Sequence, residues 1–372
     1  MRVAVPTERA VGETRVAITP AAAGRLITAG AEIVVESGAG ASAAFSDAEY
    51  SDAGATIAPN AGSLFTGADV VVQVVGPRPD VAADIDRLPE GIVLISFLKP
   101  GGQPEVLSAL AERGVTALAM ELMPRTTVAQ RMDALSAMAT VAGYSAVLHG
   151  AVAMNKFLPM LTTAAGTIAP ANVFVIGAGV AGLQAIATAR RLGGVVEAFD
   201  IRPVAKEQVE SLGARFVEWE AEEAADLETE GGYAAEVTAD EQEQEQQLLA
   251  KHVAGADLVI TTAAVPGRAA PRLISADMVA AMRPGSVIVD LAAATGGNCE
   301  LTVVGENVER DGVKILGALD LATALPVHAS EMYSRTVSAL LKHLAPEGDL
   351  TIDLEDEITA ATCVTHDGCV RT

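Results

Sequence analysis

Cysteine, aromatic residues and lysine are scarce in this chain. Its 372 residues include three Cys, seven Phe, four Tyr and one Trp, and lysine supplies only six of the 25 basic residues. The cysteines form no C-x-x-C pair and are odd in number, which indicates a reducing cytoplasm. Cys363 and Cys369 flank Asp367-Gly368, a predicted hairpin turn, and we interpret that spacing as coincidence.

Positive charge is also in short supply. The formal net charge is −23, which argues against nucleic acid or an anionic membrane surface as a direct electrostatic partner. The first ten residues, MRVAVPTERA, lack the apolar run of a signal peptide, so none is expected. The most apolar stretch, residues 134–154, is interrupted by Tyr144, Ser145 and His149, and it predicts a buried helix rather than a membrane span.

Several catalytic signatures are missing from the sequence. The five histidines are scattered without metal-ligand spacing, so each is interpreted as structural and no metal is expected. No G-x-S-x-G elbow, P-loop lysine motif or zinc signature occurs. The chemistry must therefore be sought in another kind of motif.

Short β-branched runs alternate with helical segments, which predicts an α/β protein with parallel sheets. A length of 372 residues favours two domains. We predict two doubly wound, Rossmann-like domains joined by long helices. Residues 1–133 with about 326–372 form the first, and residues 134–325 form the second. The long helices are expected near residues 134–157 and 331–344, and residues 162–170 are interpreted as a connection.

Residues 172–200 carry the clearest functional motif. An apolar strand is followed by Gly177, Gly179 and Gly182 in G-x-G-x-x-G spacing, then by an apolar helix and a strand ending at Asp200. In such a motif the glycines permit a tight turn, approach to a pyrophosphate and close helix packing, respectively. The helix N-terminus faces the phosphates, and Asp200 is placed to bind a ribose diol. Because all these parts occur in order, the motif predicts a dinucleotide site rather than a structural βαβ unit.

The acid at the strand tip favours NAD over NADP. Arg202 follows two residues later and could suggest a 2′-phosphate pocket, but Asp200 would repel that phosphate. From the residues alone, the chain is an NAD-binding, two-domain oxidoreductase with an unknown substrate.

Residues 219–246 differ in kind from the rest of the second domain. They are acidic, carry Gly231-Gly232-Tyr233 and show almost no apolar periodicity before a Gln/Glu-rich run. Loops of this length inside compact domains are uncommon and usually functional. We predict that residues 219–238 form a mobile loop.

Several stretches, taken together, resemble the NAD(H)-binding soluble subunits of proton-translocating nicotinamide nucleotide transhydrogenases. They include VGETRVAITP at residues 11–20, ELMPRTTVAQRMDALS at residues 121–136, GGYAAEV, ITTAAVPGRAAP and PGSVIVDLAAATGGNCEL. The match is colinear and covers nearly the whole chain. Alanine dehydrogenase shares this ancestry and fold, and a stand-alone enzyme of that kind is the alternative.

The residues that alanine dehydrogenase would need are replaced here. Gln73 stands where that resemblance requires a lysine, Phe97-Leu98 stands where a His-Leu pair is expected, and residues 291–297 (LAAATGG) lack the expected aspartate. Arg15 remains, but oxidation of an amine needs an acid–base partner near the reacting proton. Transhydrogenation needs none, because the protein only brings two nicotinamide rings together.

The resemblance implies specific roles for the conserved segment at residues 125–136. Arg125, Asp133 and Ser136 would hold the nicotinamide carboxamide and ribose, and Gln130 would reach toward the partner's nucleotide. The alternative is that Arg125 pairs with Asp133 while Ser136 only caps a helix. The polar run common in the family is replaced here by the more apolar AMATV at residues 137–141.

The remaining cofactor contacts implied by the resemblance come from several places along the chain. They are Thr126, Thr127 and Val128, then Ala178 and Val180 in the glycine turn, Ile201 and Arg202 after the acid, Gly232 and Tyr233 at the tip of the mobile loop, and Ala264.

The partners follow from the same resemblance. It implies a homodimer that docks an NADP(H)-binding subunit and a membrane-spanning subunit, with NAD(H) on this chain and NADP(H) on the partner. The chain would be cytoplasmic and attached peripherally to the cytoplasmic membrane through those subunits. A catalytically silent NAD-sensing module is the third hypothesis.

Overall fold

The computed structural model describes residues 1–78, 82–218, 239–264, 269–317 and 321–371, and all structural statements concern these ranges. The chain forms two compact units, Met1–Met138 with Ala322–Thr372 and Ala139–Leu321. The functional domain boundaries that we place at residues 133/134 and 325/326 stay a prediction.

The strands, in chain order, are β1 (Arg2–Val5), β2 (Glu32–Glu36), β3 (Thr56–Ala58), β4 (Val70–Val75), β5 (Val93–Phe97), β6 (Thr116–Ala119), β7 (Leu161–Thr163), β8 (Gly166–Ile168), β9 (Asn172–Ile176), β10 (Val195–Phe199), β11 (Arg215–Phe216), β12 (Leu258–Thr261), β13 (Val287–Asp290), β14 (Asn307–Arg310), β15 (Val313–Leu316), β16 (Cys363–His366) and β17 (Cys369–Val370). The helices are α1 (Pro20–Thr28), α2 (Asp47–Asp52), α3 (Ala61–Phe65), α4 (Ala82–Asp86), α5 (Pro104–Glu112), α6 (Ala134–Ala153), α7 (Val180–Arg191), α8 (Ala205–Ser211), α9 (Ala239–Gly255), α10 (Ala276–Ala280), α11 (Pro326–Leu344) and α12 (Glu357–Thr362).

The first unit is built on an eight-stranded sheet in the order β17-β16-β6-β5-β4-β1-β2-β3. The strands from β6 to β3 are parallel, and β16 and β17 form an antiparallel edge. Helices cover both faces of a parallel sheet, so its strands bury side chains on both sides. The valine-rich β4 shows this, because four of its six residues are buried.

The second unit has the strand order β11-β10-β9-β12-β13-β15-β14. From β11 to β15 the strands are parallel. Their order is that of a dinucleotide-binding Rossmann sheet, in which the strand order reverses beside the first strand. That reversal lies between β9 and β12. The predicted fold class, two doubly wound α/β units, is confirmed, with one addition: both sheets carry an antiparallel edge.

From Ala139 onward the long helix α6 packs tightly inside the second unit. A Cβ at Gly143 would lie 2.1 Å from the Ala181 carbonyl oxygen, and one at Gly150 would lie 2.6 Å from Leu258. An 18-residue stretch of α6 has a mean hydropathy of 1.3, and 39% of that stretch is buried. Length and apolar composition alone would let it span a membrane, but the same properties suit a core helix, and the close packing supports the latter.

Two local predictions differ from the structure. The helix α6 ends at Ala153 rather than near residue 157, and beyond its end Lys156 Nζ lies 2.9 Å from Asp257 Oδ2. The connection predicted at residues 162–170 contains the hairpin of β7 and β8, which the sequence analysis did not predict. A pair of strands this short gives little periodicity, so the pattern could not indicate it.

The predicted hairpin turn at Asp367-Gly368 is confirmed. Asp367 has φ 47° and Gly368 has φ 73°, the left-handed conformation at both central residues that this kind of tight turn requires. Within the hairpin Cys369 pairs with His366 rather than with Cys363, and both cysteines are free thiols.

Candidate functional site

The three motif glycines meet different surroundings. Gly177 directly follows β9 with φ +95°, and a Cβ there would lie 2.6 Å from Thr262 Oγ1. A Cβ at Gly182 would lie 1.9 Å from the Gly177 carbonyl oxygen, so α7 can approach the turn only with glycine there. At Gly179 a Cβ would meet no atom of the described residues within 4 Å. The turn therefore combines strain and close packing at its ends with open space in its middle.

The open middle of the turn is the N-terminus of α7. Gly179 is the N-cap residue and has no side chain to accept a hydrogen bond from the first turn. Val180, the first helical residue, is exposed, and Ala178 is buried. Helix N-terminal N–H groups without a side-chain cap bind anions well. This arrangement fits a pyrophosphate, as the sequence predicts.

Asp200, at the end of β10, accepts four hydrogen bonds in this structure. Ala178 N–H donates to it at 2.7 Å, and the backbone N–H, Nε and Nη2 of Arg202 donate at 2.9 Å each. The Asp200 side chain is only 6% exposed. Arg202 therefore lies against the acid, and Ile201 between them is half-buried. A ribose diol would have to share or replace the Arg202 contacts.

Two residues that the sequence analysis missed hold the strand end opposite the turn. Asn298 is fully buried; its Nδ2 donates to the carbonyls of Ala263 and Pro271 at 2.8 Å, and its Oδ1 accepts the Ala263 N–H at 3.1 Å. Thr262 Oγ1 donates to the Gly177 carbonyl at 3.0 Å. The predicted contact residue Ala264 follows directly and is exposed. The sequence contained a signal for both residues. Asn298 follows two glycines and Thr262 follows a buried strand, and both positions suit a site at a strand end.

The buried Asp290 supports the same edge from β13. Its carboxylate accepts hydrogen bonds from Thr261 Oγ1 at 3.0 Å, Thr302 Oγ1 at 2.7 Å and Cys299 N–H at 3.1 Å. These bonds tie the end of β12 to the loop after β13. Asp290 thus acts on the site through backbone placement rather than by direct contact.

In the first unit, the segment at residues 125–130 presents polar groups to solvent. Arg125, Thr127, Val128 and Gln130 are exposed, and Thr126 is half-buried. A 3₁₀ turn, Ala129–Met132, follows, and its two bounding residues are buried and anchor the segment. The predicted nicotinamide-binding side chains are therefore held on an ordered backbone with their side chains accessible.

Asp133 and Ser136 form the N-terminal cap of α6. The Ser136 N–H donates to Asp133 Oδ1 at 2.8 Å, and its Oγ donates to Oδ2 at 2.5 Å. The helix is thus capped by Asp133 with Ser136 as the donor, rather than by Ser136 itself as the alternative has it. This cap leaves the predicted cofactor role open, because both side chains are only half-buried. Gly232 and Tyr233, together with the predicted mobile loop 219–238, lie outside the described residues.

The positions that would serve a small substrate in the first unit are occupied by other contacts. Arg15 donates to Glu13 through Nε at 2.7 Å and Nη2 at 2.6 Å, and both side chains are nearly inaccessible. The Tyr333 hydroxyl donates to the Gln73 carbonyl at 2.7 Å, and its ring lies 5.4 Å from that of Phe97. These contacts engage the Arg15 guanidinium, the Phe97 ring and the Gln73 backbone carbonyl.

Two half-buried carboxyl groups lie near this packing and were also missed from sequence. Glu8 accepts the N–H groups of Val74 and Val75, and its burial raises its pKa to about 8. Glu121 accepts the N–H groups of Leu98 and Lys99, and burial raises its pKa as well. Both groups satisfy backbone donors at the ends of β4 and β5, which is a structural role.

Known proteins match the chain along nearly its whole length. Residues 4–142 match the family described as alanine dehydrogenase/PNT, N-terminal domain, and residues 146–372 match alanine dehydrogenase/PNT, C-terminal domain. An NAD(P) transhydrogenase subunit alpha chain of Rhodospirillum rubrum is 44% identical, covering 100% of this chain and 97% of that protein.

Solved structures of both branches of this family resemble the chain. A transhydrogenase structure from Sinorhizobium meliloti has a TM-score of 0.91 and 43% identity, with 100% of both chains covered. An L-alanine dehydrogenase structure has a TM-score of 0.82 and 27% identity, with 100% of this chain and 96% of that chain covered. The resemblance proposed from the motifs is thereby confirmed: the chain belongs to the alanine dehydrogenase/PNT family.

Proposed function

We propose that this chain is the NAD(H)-binding subunit of a proton-translocating nicotinamide nucleotide transhydrogenase. One contrast carries the proposal: the second unit keeps an open dinucleotide turn at Gly179, whereas in the first unit Arg15 is paired with Glu13 and Phe97 packs against Tyr333. Bound NAD(H) would supply a hydride donor or acceptor at its nicotinamide ring. That chemistry needs no acid–base residue from this chain.

The dinucleotide fits the residues around the glycine turn. Backbone N–H groups at Gly179 and Val180 suit the pyrophosphate, because no Cβ or side-chain cap blocks them. The Asp200 carboxylate suits the adenosine ribose, with Ile201 and Arg202 beside it. The negative charge at that position supports NAD(H) rather than NADP(H).

The segment at residues 125–136 would orient the nicotinamide end. In this proposal Arg125, Asp133 and Ser136 hold the carboxamide and ribose, with Thr126, Thr127 and Val128 lining the same region. Gln130 reaches toward NADP(H) on the partner subunit. Such a site accelerates transfer by holding two rings in contact and by excluding water. The exposure of Arg125 and Gln130 suits a surface completed by another protein.

Assembly is part of the proposal. An NADP(H)-binding subunit and a membrane-spanning subunit would complete the enzyme, couple transfer to proton translocation and attach this chain to the cytoplasmic face of the membrane. The relatives named subunit alpha support a multisubunit enzyme.

A homodimer is supported by the hairpin of β7 and β8. This two-stranded sheet pairs with no other strand in the described ranges, and an isolated hairpin is at best marginally stable in water. Apolar side chains around it are exposed: Phe157 by 54%, Met160 by 61% and Ile168 by 46%. We propose that a second copy covers them. Ile168→Asp should lower the mass measured by light scattering to that of a monomer, whereas Val304→Asp, a control at an exposed β-branched residue outside the hairpin, should not.

The alternative, a stand-alone alanine dehydrogenase-like enzyme, has less support. Gln73 and Phe97 replace the groups that it needs, and Arg15 is already bound to Glu13. NADH oxidation by the chain alone with pyruvate and ammonium would establish the alternative and refute the proposal.

The direct test combines the purified chain with a cognate NADP(H)-binding subunit and follows hydride transfer from NADH to an NADP analogue. Transfer is expected only when both subunits are present. Arg125→Ala should reduce transfer by at least about tenfold, equivalent to about 1.4 kcal/mol, without changing the melting temperature.

Arg131→Ala is the matched control, because Arg131 is an exposed arginine in the same segment. It should transfer hydride at the wild-type rate. Absence of transfer in the wild-type mixture would refute the proposed function, and unchanged transfer in Arg125→Ala would refute only the role of that residue.

A further inference from the structure

One peptide group, the one that joins Gly177 to Ala178, lies at the start of the glycine turn. The peptide before it is fixed, because the Gly177 N–H donates to the Phe199 carbonyl at 2.8 Å. The direction of the next peptide depends on the backbone torsions of Gly177, which already has φ +95°. Glycine restricts its torsions less than any other residue. Contacts from elsewhere in the unit must therefore fix the direction of this peptide.

Both polar groups of the Gly177–Ala178 peptide are held by residues that follow neighbouring strands. Thr262, directly after β12, donates its hydroxyl to the Gly177 carbonyl at 3.0 Å. The Ile176 carbonyl lies 3.4 Å from the same hydroxyl oxygen but already accepts the Thr262 N–H at 2.8 Å. On the other side of the peptide, the Ala178 N–H donates to Asp200 Oδ2 at 2.7 Å. These partners meet because β12 and β10 flank β9 in the sheet.

The hydroxyl of Thr262 lies in closely packed surroundings. A Cβ at Gly177 would lie 2.6 Å from Thr262 Oγ1, and a Cβ at Gly182 would lie 3.2 Å from the same oxygen. The latter Cβ would also lie 1.9 Å from the Gly177 carbonyl oxygen. The carbonyl and the hydroxyl that donates to it are thus enclosed between the end of β12 and the first turn of α7.

A contact at the carbonyl is transmitted across this peptide to the acid. A trans peptide is planar and its C=O and N–H groups point in opposite directions, so a donor that fixes the carbonyl also fixes the N–H. Donation to the carbonyl also polarises the N–H and strengthens it as a donor. The other hydrogen bonds to Asp200 come from Arg202, so within the described residues the Ala178 N–H alone ties the carboxylate to the turn.

We propose that Thr262 is a positioning residue whose hydroxyl, through the Gly177–Ala178 peptide, orients the Asp200 carboxylate for the 2′-hydroxyl of an adenosine ribose. Thr262 acts on the dinucleotide through this peptide rather than by contact. The inference rests on the proposed binding of NAD(H) and is independent of hydride transfer and of any partner subunit.

The test compares Thr262→Ser with Thr262→Ala, which differ by the hydroxyl oxygen alone. The Kd values of NADH and 2′-deoxy-NADH are measured by titration of the nicotinamide fluorescence. Wild type should bind NADH at least about threefold more tightly than the 2′-deoxy analogue, as expected for one net hydrogen bond. Thr262→Ser should keep this ratio of Kd values. Thr262→Ala should bring the ratio to about one and weaken NADH binding about threefold to tenfold.

Thr262→Val, which fills nearly the same volume without the hydroxyl, should lose the ratio as Thr262→Ala does. The matched control is Thr188→Ala. Thr188 is a buried threonine on α7 whose hydroxyl donates to the Gln184 carbonyl at 2.8 Å. Its replacement also removes a buried hydroxyl from the second unit, yet it should leave both Kd values unchanged.

The possible failures are distinguishable. Absence of NADH binding by wild type would refute the proposed function together with this inference. If wild type binds NADH, the inference alone is overturned by equal affinity of wild type for the two dinucleotides. A wild-type ratio in Thr262→Ala and Thr262→Val, or a lost ratio in Thr262→Ser, would overturn it as well.

Discussion

Gly179 and Gly182 lie in one turn but should respond differently to the same substitution. Gly182→Ala would place a methyl group 1.9 Å from the Gly177 carbonyl oxygen, and such overpacking costs about 1–3 kcal/mol. We expect a lower free energy of unfolding in urea together with weaker NADH binding, because α7 must move away from the turn.

Gly179→Ala provides the complementary prediction. The residue has φ −75° and open space around its Cβ position, so the free energy of unfolding should change by less than about 0.5 kcal/mol. NADH affinity should fall about tenfold, or about 1.4 kcal/mol, because the methyl group occupies the approach of the pyrophosphate. Unchanged NADH affinity in a folded Gly179→Ala protein would contradict the proposed phosphate position.

Glu8 predicts a pH dependence of stability. Burial raises its pKa from 4.5 to about 8 in the folded chain, against the opposing effect of the Val74 and Val75 N–H donors. Between these values the unfolded chain loses the proton while the folded chain keeps it, so this group lowers stability as pH rises. The slope is at most about 1.4 kcal/mol per pH unit.

Urea unfolding of wild type and Glu8→Gln between pH 5 and pH 8 measures the effect. The variant should gain stability relative to wild type as pH rises, whereas Glu105→Gln, at an exposed position on α5, should run parallel to wild type. Parallel curves for Glu8→Gln would show that Glu8 is ionised in the folded chain.

At the scale of elements, the end of β12 depends on a single buried amide. Asn298→Ala removes three hydrogen bonds and leaves the N–H and carbonyl of Ala263 and the carbonyl of Pro271 without this partner. Because Ala263 is only half-buried and Pro271 is exposed, water can satisfy part of what is lost, and we expect a total cost of about 1–3 kcal/mol. We expect a clear loss of stability and weaker NADH binding, measured by urea unfolding and fluorescence titration.

Asn307→Ala is the matched control for that prediction. Asn307 is exposed at the start of β14, so its replacement should alter neither quantity. If Asn298→Ala weakened neither folding nor NADH binding, the strand end would be positioned by other contacts.

The elements also show where sequence patterns are informative. Long apolar runs such as β4 and β9 are recovered to within a residue or two, because burial on both faces requires continuous apolar residues. The predicted end of α6 lies beyond the observed one at Ala153, and the hairpin of β7 and β8 was not predicted, because three-residue strands give little periodicity.

At the scale of the whole molecule, the degree to which different ligands stabilise the folded chain distinguishes the candidate functions. A ligand that binds only the folded chain stabilises it by about 2.7 kcal/mol at a hundred times its Kd. NADH should therefore raise the melting temperature strongly, and NADPH should raise it less because Asp200 repels a 2′-phosphate. Pyruvate with ammonium should add nothing to NADH, since Arg15 is bound to Glu13. An additional rise with pyruvate would favour the alanine dehydrogenase-like alternative.

The sequence by itself determined the alternation of strands and helices, the glycine turn and the Asp367-Gly368 hairpin, because each depends on neighbouring residues and local backbone conformation. Only the tertiary structure decided how Asp200 is used. The carboxylate meets the Ala178 N–H 22 residues away, and its Arg202 partner was open to two interpretations. The tertiary structure likewise decided the partners of Asn298 and Glu8. Asn298 donates a hydrogen bond to Ala263, 35 residues away, and Glu8 accepts one from Val74, 66 residues away. Contacts of this kind depend on which strand ends are brought together by sheet order, and no short-range pattern records that order.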